Sequence, residues 1–246
     1  MNRWYTGLSL VMVAGMAQAT VVGVNSGYWS DTGTWSSGAL PPVTEKVNIA
    51  AGKTVTLTNA AGLASIDRLA LGDNSNQGAL IINGGLLNAG TTGWNAVGYN
   101  SPCSLLITGD GSFITAGRLD IGLFDKYNGA IHFTINSGTL DVGGALRIGP
   151  SFDGIDDEST SVPVTMSATA HINGGTVSAT SLTIGTLNAV MDIAGGTVVI
   201  NGDITGTVST WSGDGRITAF GGSGAVRATY DGGAGKTTIV GVPDLP

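Results

Sequence analysis

I-N-S-G-T-L-D-V-G-G-A-L-R-I-G, from Ile135 to Gly149, decides the fold, because imperfect copies of it recur along the chain. Ile82 opens I-N-G-G-L-L, and that copy closes at Val97-Gly98. Ile107 opens I-T-G-D-G-S-F and closes at Ile121-Gly122. Ile172 opens I-N-G-G-T-V and closes at Ile184-Gly185, while Ile193 opens I-A-G-G-T-V with a weaker close at Ile204. The openers stand at 82, 107, 135, 172 and 193, hence 25, 28, 37 and 21 residues apart. Self-similarity of this kind is the signature of a repeat architecture.

Inside one copy the apolar residues alternate. Leu140 and Val142 share one face and Thr139 and Asp141 the other; Leu146 and Ile148 point inward, with Arg147 outward. Leu119 and Ile121 flank Asp120, and Leu182 and Ile184 flank Thr183, in the same manner. Period two means strand, and no copy holds enough 3.6-period pattern for a helix. An all-β solenoid follows, with variable loops at one corner. A sandwich of hairpins is the alternative, but it predicts no self-similar copies. At about 25 residues per circuit the chain makes about nine turns, a rod of about 40 Å. The 41 glycines serve the tight corners. Asn83, Asn136 and Asn173 each follow an opener and predict an amide ladder.

Residues 1–19 carry Arg3, a short apolar core and Ala17-Gln18-Ala19, the pattern of a secretory signal peptide. The remainder divides into an N-terminal cap (20–46), β-helix repeats (47–206), and closing strands with a tail (207–246). No segment of this mature chain is apolar enough to span a bilayer. Without Arg3, nine basic face seventeen acidic side chains, moving the formal charge from −7 to −8. Such a balance argues against nucleic acid and anionic lipid as partners. Cys103 is alone, so there is no disulfide framework, and a buried free thiol is expected.

Tyr28-Trp29 and Trp35 precede the first copy and Pro41-Pro42 follow them. A terminal circuit exposes an apolar cross-section, so these aromatics read as a cap, or alternatively as a platform for sugars. Then come Val47-Asn48-Ile49 and Gly52-Lys53-Thr54-Val55-Thr56-Leu57. The order W-x-x-x-x-x-W, a Pro loop, V-x-I-x-x-G-x-x-V-x-L and then I-N-G-G-T-V-type rungs resembles bacterial secreted β-helix repeat proteins. These carry autotransporter-associated strand repeats or a PEP-CTERM sorting tail. Val242-Pro243-Asp244-Leu245-Pro246 is similar to the Val-Pro-Glu-Pro start of such a tail. The resemblance implies a single-stranded right-handed parallel β-helix, secreted to or beyond a bacterial cell surface, and no particular activity.

Chemistry-bearing residues are few. Asp153, Asp156, Asp157 and Glu158 lie in the longest interruption and could supply oxygens to Ca²⁺; their spacing is not that of an EF-hand, and a solvated acidic loop is the plain alternative. Asp73-Asn74-Ser75-Asn76-Gln77-Gly78 is a weaker oxygen-rich turn that no Glu closes. Gly233-Ala234-Gly235-Lys236-Thr237 lacks the first glycine of a phosphate loop, and a strand follows it rather than a helix. His132 and His171 sit at different places in their copies and do not predict a metal pair. Asp120 and Arg147 fall in successive copies and predict a cross-rung ion pair on the outside. Trp94, Tyr99 and Tyr127 fall in or near inter-copy loops and are candidate sugar-stacking residues. Threonines show no aligned T-x-T array. The expected function is a structural or adhesive rod whose partners are polysaccharide or copies of itself. A polysaccharide lyase or hydrolase is the alternative.

Overall fold

The computed structural model describes residues 19–90, 93–123, 128–149, 166–186 and 188–244. The signal-peptide reading, apart from Ala19, therefore lies outside the described residues. Among them are twenty-one strands and one α-helix. In chain order β1 (Thr20–Gly23) and β2 (Gly27–Tyr28) lead into three complete circuits. These are β3 (Lys46–Ile49), β4 (Thr54–Thr58) and β5 (Leu63–Ile66); β6 (Arg68–Leu71), β7 (Ala79–Asn83) and β8 (Leu86–Ala89); β9 (Trp94–Val97), β10 (Ser104–Thr108) and β11 (Ser112–Thr115). There follow β12 (Arg118–Ile121), β13 (Gly129–Ile135), β14 (Thr139–Ile148), β15 (Met166–Ile172), β16 (Thr176–Ile184), β17 (Ala189–Ile193) and β18 (Thr197–Asn201). The chain ends with α1 (Thr205–Gly213), β19 (Ile217–Ala219), β20 (Gly224–Asp231) and β21 (Lys236–Pro243).

Strands one circuit apart pair in parallel and build three columns. Side one runs β2, β4, β7, β10, β13, β15, β17, β19. Side two runs β5, β8, β11, the first halves of β14 and β16, then β18. Side three runs β1, β3, β6, β9, β12 and the second halves of β14 and β16. The long sheet is mostly parallel and unclosed, an arrangement compatible with a β-solenoid. The expected openers are in register: Ile82, Ile107, Ile135, Ile172 and Ile193 align, with Leu57 before them and Ala219 after. All seven are buried, and each fully buried Ile or Leu contributes about 1.5–3 kcal/mol.

Copies close on glycine for a steric reason. Gly72, Gly98 and Gly122 hold φ of 77°, 81° and 82° at the corner after side three. A side chain there is strained by its backbone, and a Cβ on Gly98 would collide with Ile131. The amide ladder forms only in part: Asn173 Nδ2 donates to Asn136 Oδ1 at 3.0 Å, while Thr108 stands between Asn83 and that pair. Ser112, Thr139, Thr176 and Thr197 do align in one outward column of side two, but Ile114, Asp141, Ser178 and Val199 fill the next.

Two expectations are corrected. In the sequence, Trp211-Ser212-Gly213-Asp214-Gly215 looks like a turn of a terminal hairpin; the chain instead forms α1, standing between β18 and β19 where a side-three strand would fall. Val208 and Trp211 hold it against the core. Asp120 and Arg147 are register partners as expected, yet both are buried rather than outward to solvent. At the other end Trp29 and Trp35 are buried edge-to-face at 4.8 Å, and Trp35 Nε1 donates to the Trp29 carbonyl, whereas Tyr28 is 61% exposed.

Candidate functional site

The outward faces of β3, β6, β9 and β12 begin with aligned quartets: K-V-N-I, R-L-A-L, W-N-A-V and R-L-D-I. Their second and fourth residues are buried inward. Their first residues therefore form one outward column on side three: Lys46, Arg68, Trp94, Arg118. Rungs are about 4.8 Å apart, so neighbours in the column touch. The Arg68 guanidinium lies 4.5 Å from the centre of the Trp94 ring. Such a contact contributes about 0.5–1 kcal/mol when exposed and more when desolvated. Tyr99 stacks on Trp94 with centroids 4.6 Å apart and planes 6° from parallel. The positive φ of Gly98 turns the chain so that Tyr99 N–H donates to the Leu71 carbonyl at 2.8 Å, bringing its ring back beside Trp94.

A second outward column adds charge. Arg118 Nε donates to Asp120 Oδ2 at 2.8 Å, and Arg147 Nε lies 3.5 Å from Asp120 Oδ1. Asp120 is 1% exposed, so its carboxylate is held by two arginines and out of reach of solvent. Lys46 Nζ donates to Asp73 Oδ2 at 2.6 Å. Asp73, Asn100, Ser101 and Leu123, from the loops after β6, β9 and β12, are themselves buried. Those loops also tie to one another: Asn74 N–H donates to Asn100 Oδ1, and Ser75 N–H to Ser101 Oγ.

Of the sugar-stacking candidates, Trp94 and Tyr99 come together and cover part of each other's ring faces; Tyr127 lies outside the described residues. The carboxylates offered for Ca²⁺, Asp153, Asp156, Asp157 and Glu158, also lie outside them. Among the described residues no group of three or more His, Cys, Asp or Glu is placed to hold a metal. His132 and His171 occupy neighbouring outward columns of side one. His171 Nδ1 lies 4.0 Å from Asp192, whose other oxygen accepts from Thr218 Oγ1 at 2.7 Å and Gly221 N–H at 2.9 Å. Cys103 is buried and free, and burial pushes its thiol up to about 12.

Lys46, Arg68 and Arg118 escape a reading built on single residues. The signal is there once the quartets are aligned, because each stands two places before the outward residue that precedes the closing apolar position. Compared with known proteins, the chain matches no family model, no curated sequence and no solved structure.

Proposed function

We propose that this chain is a secreted structural or adhesive rod, a right-handed parallel β-helix capped by Trp29 and Trp35, that binds polysaccharide along side three. The observation that carries the reading is the in-register column Lys46, Arg68, Trp94, Arg118, with Tyr99 stacked beside it. Aromatic rings offer apolar faces to sugar rings. Arginine presents a planar fork that matches a carboxylate. Four of the ten Lys and Arg side chains of an acidic protein lie on this one flank, Arg147 included. An acidic polymer, such as one with uronate residues, suits both features. Repetition along the rod favours an extended chain over a small ligand. Binding without cleavage is favoured because Asp120, the carboxylate that cleavage would need beside Arg147, is 1% exposed and engaged by two arginines.

The test is incubation of the purified protein with acidic and neutral polysaccharides, with and without Ca²⁺, reading both polymer length and retention of protein. Retention on the acidic polymers with unchanged length is expected. Trp94→Ala or Arg68→Ala should weaken it about tenfold, or about 1.4 kcal/mol. Shortened chains would establish the lyase or hydrolase alternative instead. Absence of retention on every polymer would remove the glycan-binding role.

A further inference from the structure

We infer that the rod joins end to end with copies of itself through the two free edges of side two. At the N-terminal end β5 pairs only with β8 among the described strands. Ile66 turns its carbonyl to Gly90, just past β8, and Asp67 turns its N–H the other way, to the Glu45 carbonyl. Alternation along a parallel strand therefore leaves Leu63 and Ser65 with their N–H and C=O toward the open side. Among the described residues no strand lies beyond β5 on side two; the connection from β2 to β3 passes there, with the Glu45 carbonyl on Asp67 N–H and Leu40 to Val43 across from Leu63. A cavity of about 270 Å³ sits there, lined in part by Trp29, Leu40, Pro41, Val43, Leu63 and Ser65. Leu40, Val43 and Leu63 are 46%, 63% and 59% exposed, three of the most exposed large apolar side chains described. An open edge beside an apolar cavity is a template for another strand.

The other end of the same column supplies that strand. β21 pairs antiparallel with β18, and β20 pairs antiparallel with β21. Two reversals restore the direction, so β20 runs parallel to β18 and, through the column, to β5. β21 occupies one edge of β20 throughout; on the other edge only Gly224 meets a strand, at Ala219 of β19. From Ala225 to Asp231 no described strand pairs with that edge, and α1 packs beside β20. Laying β20 of one copy against β5 of the next would thus continue side two with the parallel sense it has from β5 to β18. The core is also unfinished at both ends: Ala61 beside β5, and Val226 and Ala228 on β20, are only partly covered. These edges differ from each other, so the contact is heterologous and propagates instead of closing into a dimer. A second copy is the occupant that answers both open edges at once, and the contact leaves Trp94 and side three clear.

The experiment is sedimentation of the purified protein over a wide concentration range, with electron microscopy of the largest species. Wild type should gain mass with concentration and form rods one molecule wide. Leu63→Lys places a charge at an exposed edge position, and Ser65→Pro removes an edge donor while leaving the pairing with β8 intact. Each should hold the protein monomeric with an unchanged circular dichroism spectrum, as should the pair Ala225→Lys and Thr229→Lys on β20. Mixing a β5-blocked with a β20-blocked protein should give dimers and nothing larger, because one intact end of each kind remains. A wild type that stays monomeric at every concentration overturns the inference. So do folded variants that still polymerise, or blocked proteins that fail to complement.

Discussion

Asn95 stands in an inward column otherwise made of Val21, Val47, Leu69, Leu119, Leu146 and Leu182. It is 2% exposed and bonded at both ends of its amide: its Oδ1 accepts from Leu69 N–H at 2.7 Å, and its Nδ2 donates to Thr115 Oγ1 at 2.8 Å. Thr115 comes from side two, so one polar pair crosses the apolar interior between sides. Asn95→Leu should lower stability by about 1–3 kcal/mol, since the Leu69 N–H loses its partner and Thr115 Oγ1 keeps only Gly117 N–H. Adding Thr115→Val should recover part of that loss, read from denaturant midpoints. Cys103 offers a test by pH. Burial raises its pKa from 9.0 to about 12, so the folded state keeps the proton that the unfolded chain sheds. Below pH 9 this thiol leaves stability unchanged; from pH 9 toward 12 it makes stability fall. Cys103→Ala should decline less steeply than wild type over that window. Period two in the sequence makes the inward faces legible, including the burial of Ile148 and Leu146. It cannot say whether solvent reaches the outward face. Asp120 and Arg147 are outward by alternation and still buried, and Asn48 in the same column is buried as well, its Nδ2 donating to the Asp73 carbonyl of the loop after β6.

At the scale of elements, the circuits were legible and the ending was not. Every opener pairs with the next at the spacing counted from the sequence, and the alternating stretches Arg227-Ala228-Thr229-Tyr230 and Thr237-Thr238-Ile239-Val240, which read as closing strands, fall inside β20 and β21. The helix α1 gave no such signal. Apart from Trp211, its residues T-G-T-V-S-T-W-S-G are β-branched, small or glycine, and rank low in helix propensity. It forms because Val208 and Trp211, three residues apart, both reach the core at the place where side three stops. Tertiary packing, not propensity, makes this helix. Trp211→Ala should therefore cost about 3–5 kcal/mol, far more than a surface change, and should lower the melting temperature. An unchanged melting temperature would show that α1 contributes nothing to closing the rod. The column Lys46, Arg68, Trp94, Arg118 was legible in principle, but only by aligning quartets across circuits, since within any one circuit its members are isolated residues.

Over the whole molecule, charge and shape are arranged on different sides. The net charge of −7 disfavours an acidic polymer at long range, while side three gathers four cations at short range. Retention on polysaccharide should accordingly fall with added salt less steeply than four free cations would give, because Lys46, Arg118 and Arg147 already have acidic neighbours. The three sides also differ in tolerance. From Ile82 to Ile107 the chain uses 25 residues, and from Ile135 to Ile172 it uses 37, twelve more, yet both pairs meet in register. β14, ending at Ile148, and β15, beginning at Met166, still stack in register with their neighbours. Such a rod works as a ruler: its graduations are fixed by the openers, and the number of residues between two of them can differ by twelve without moving a mark.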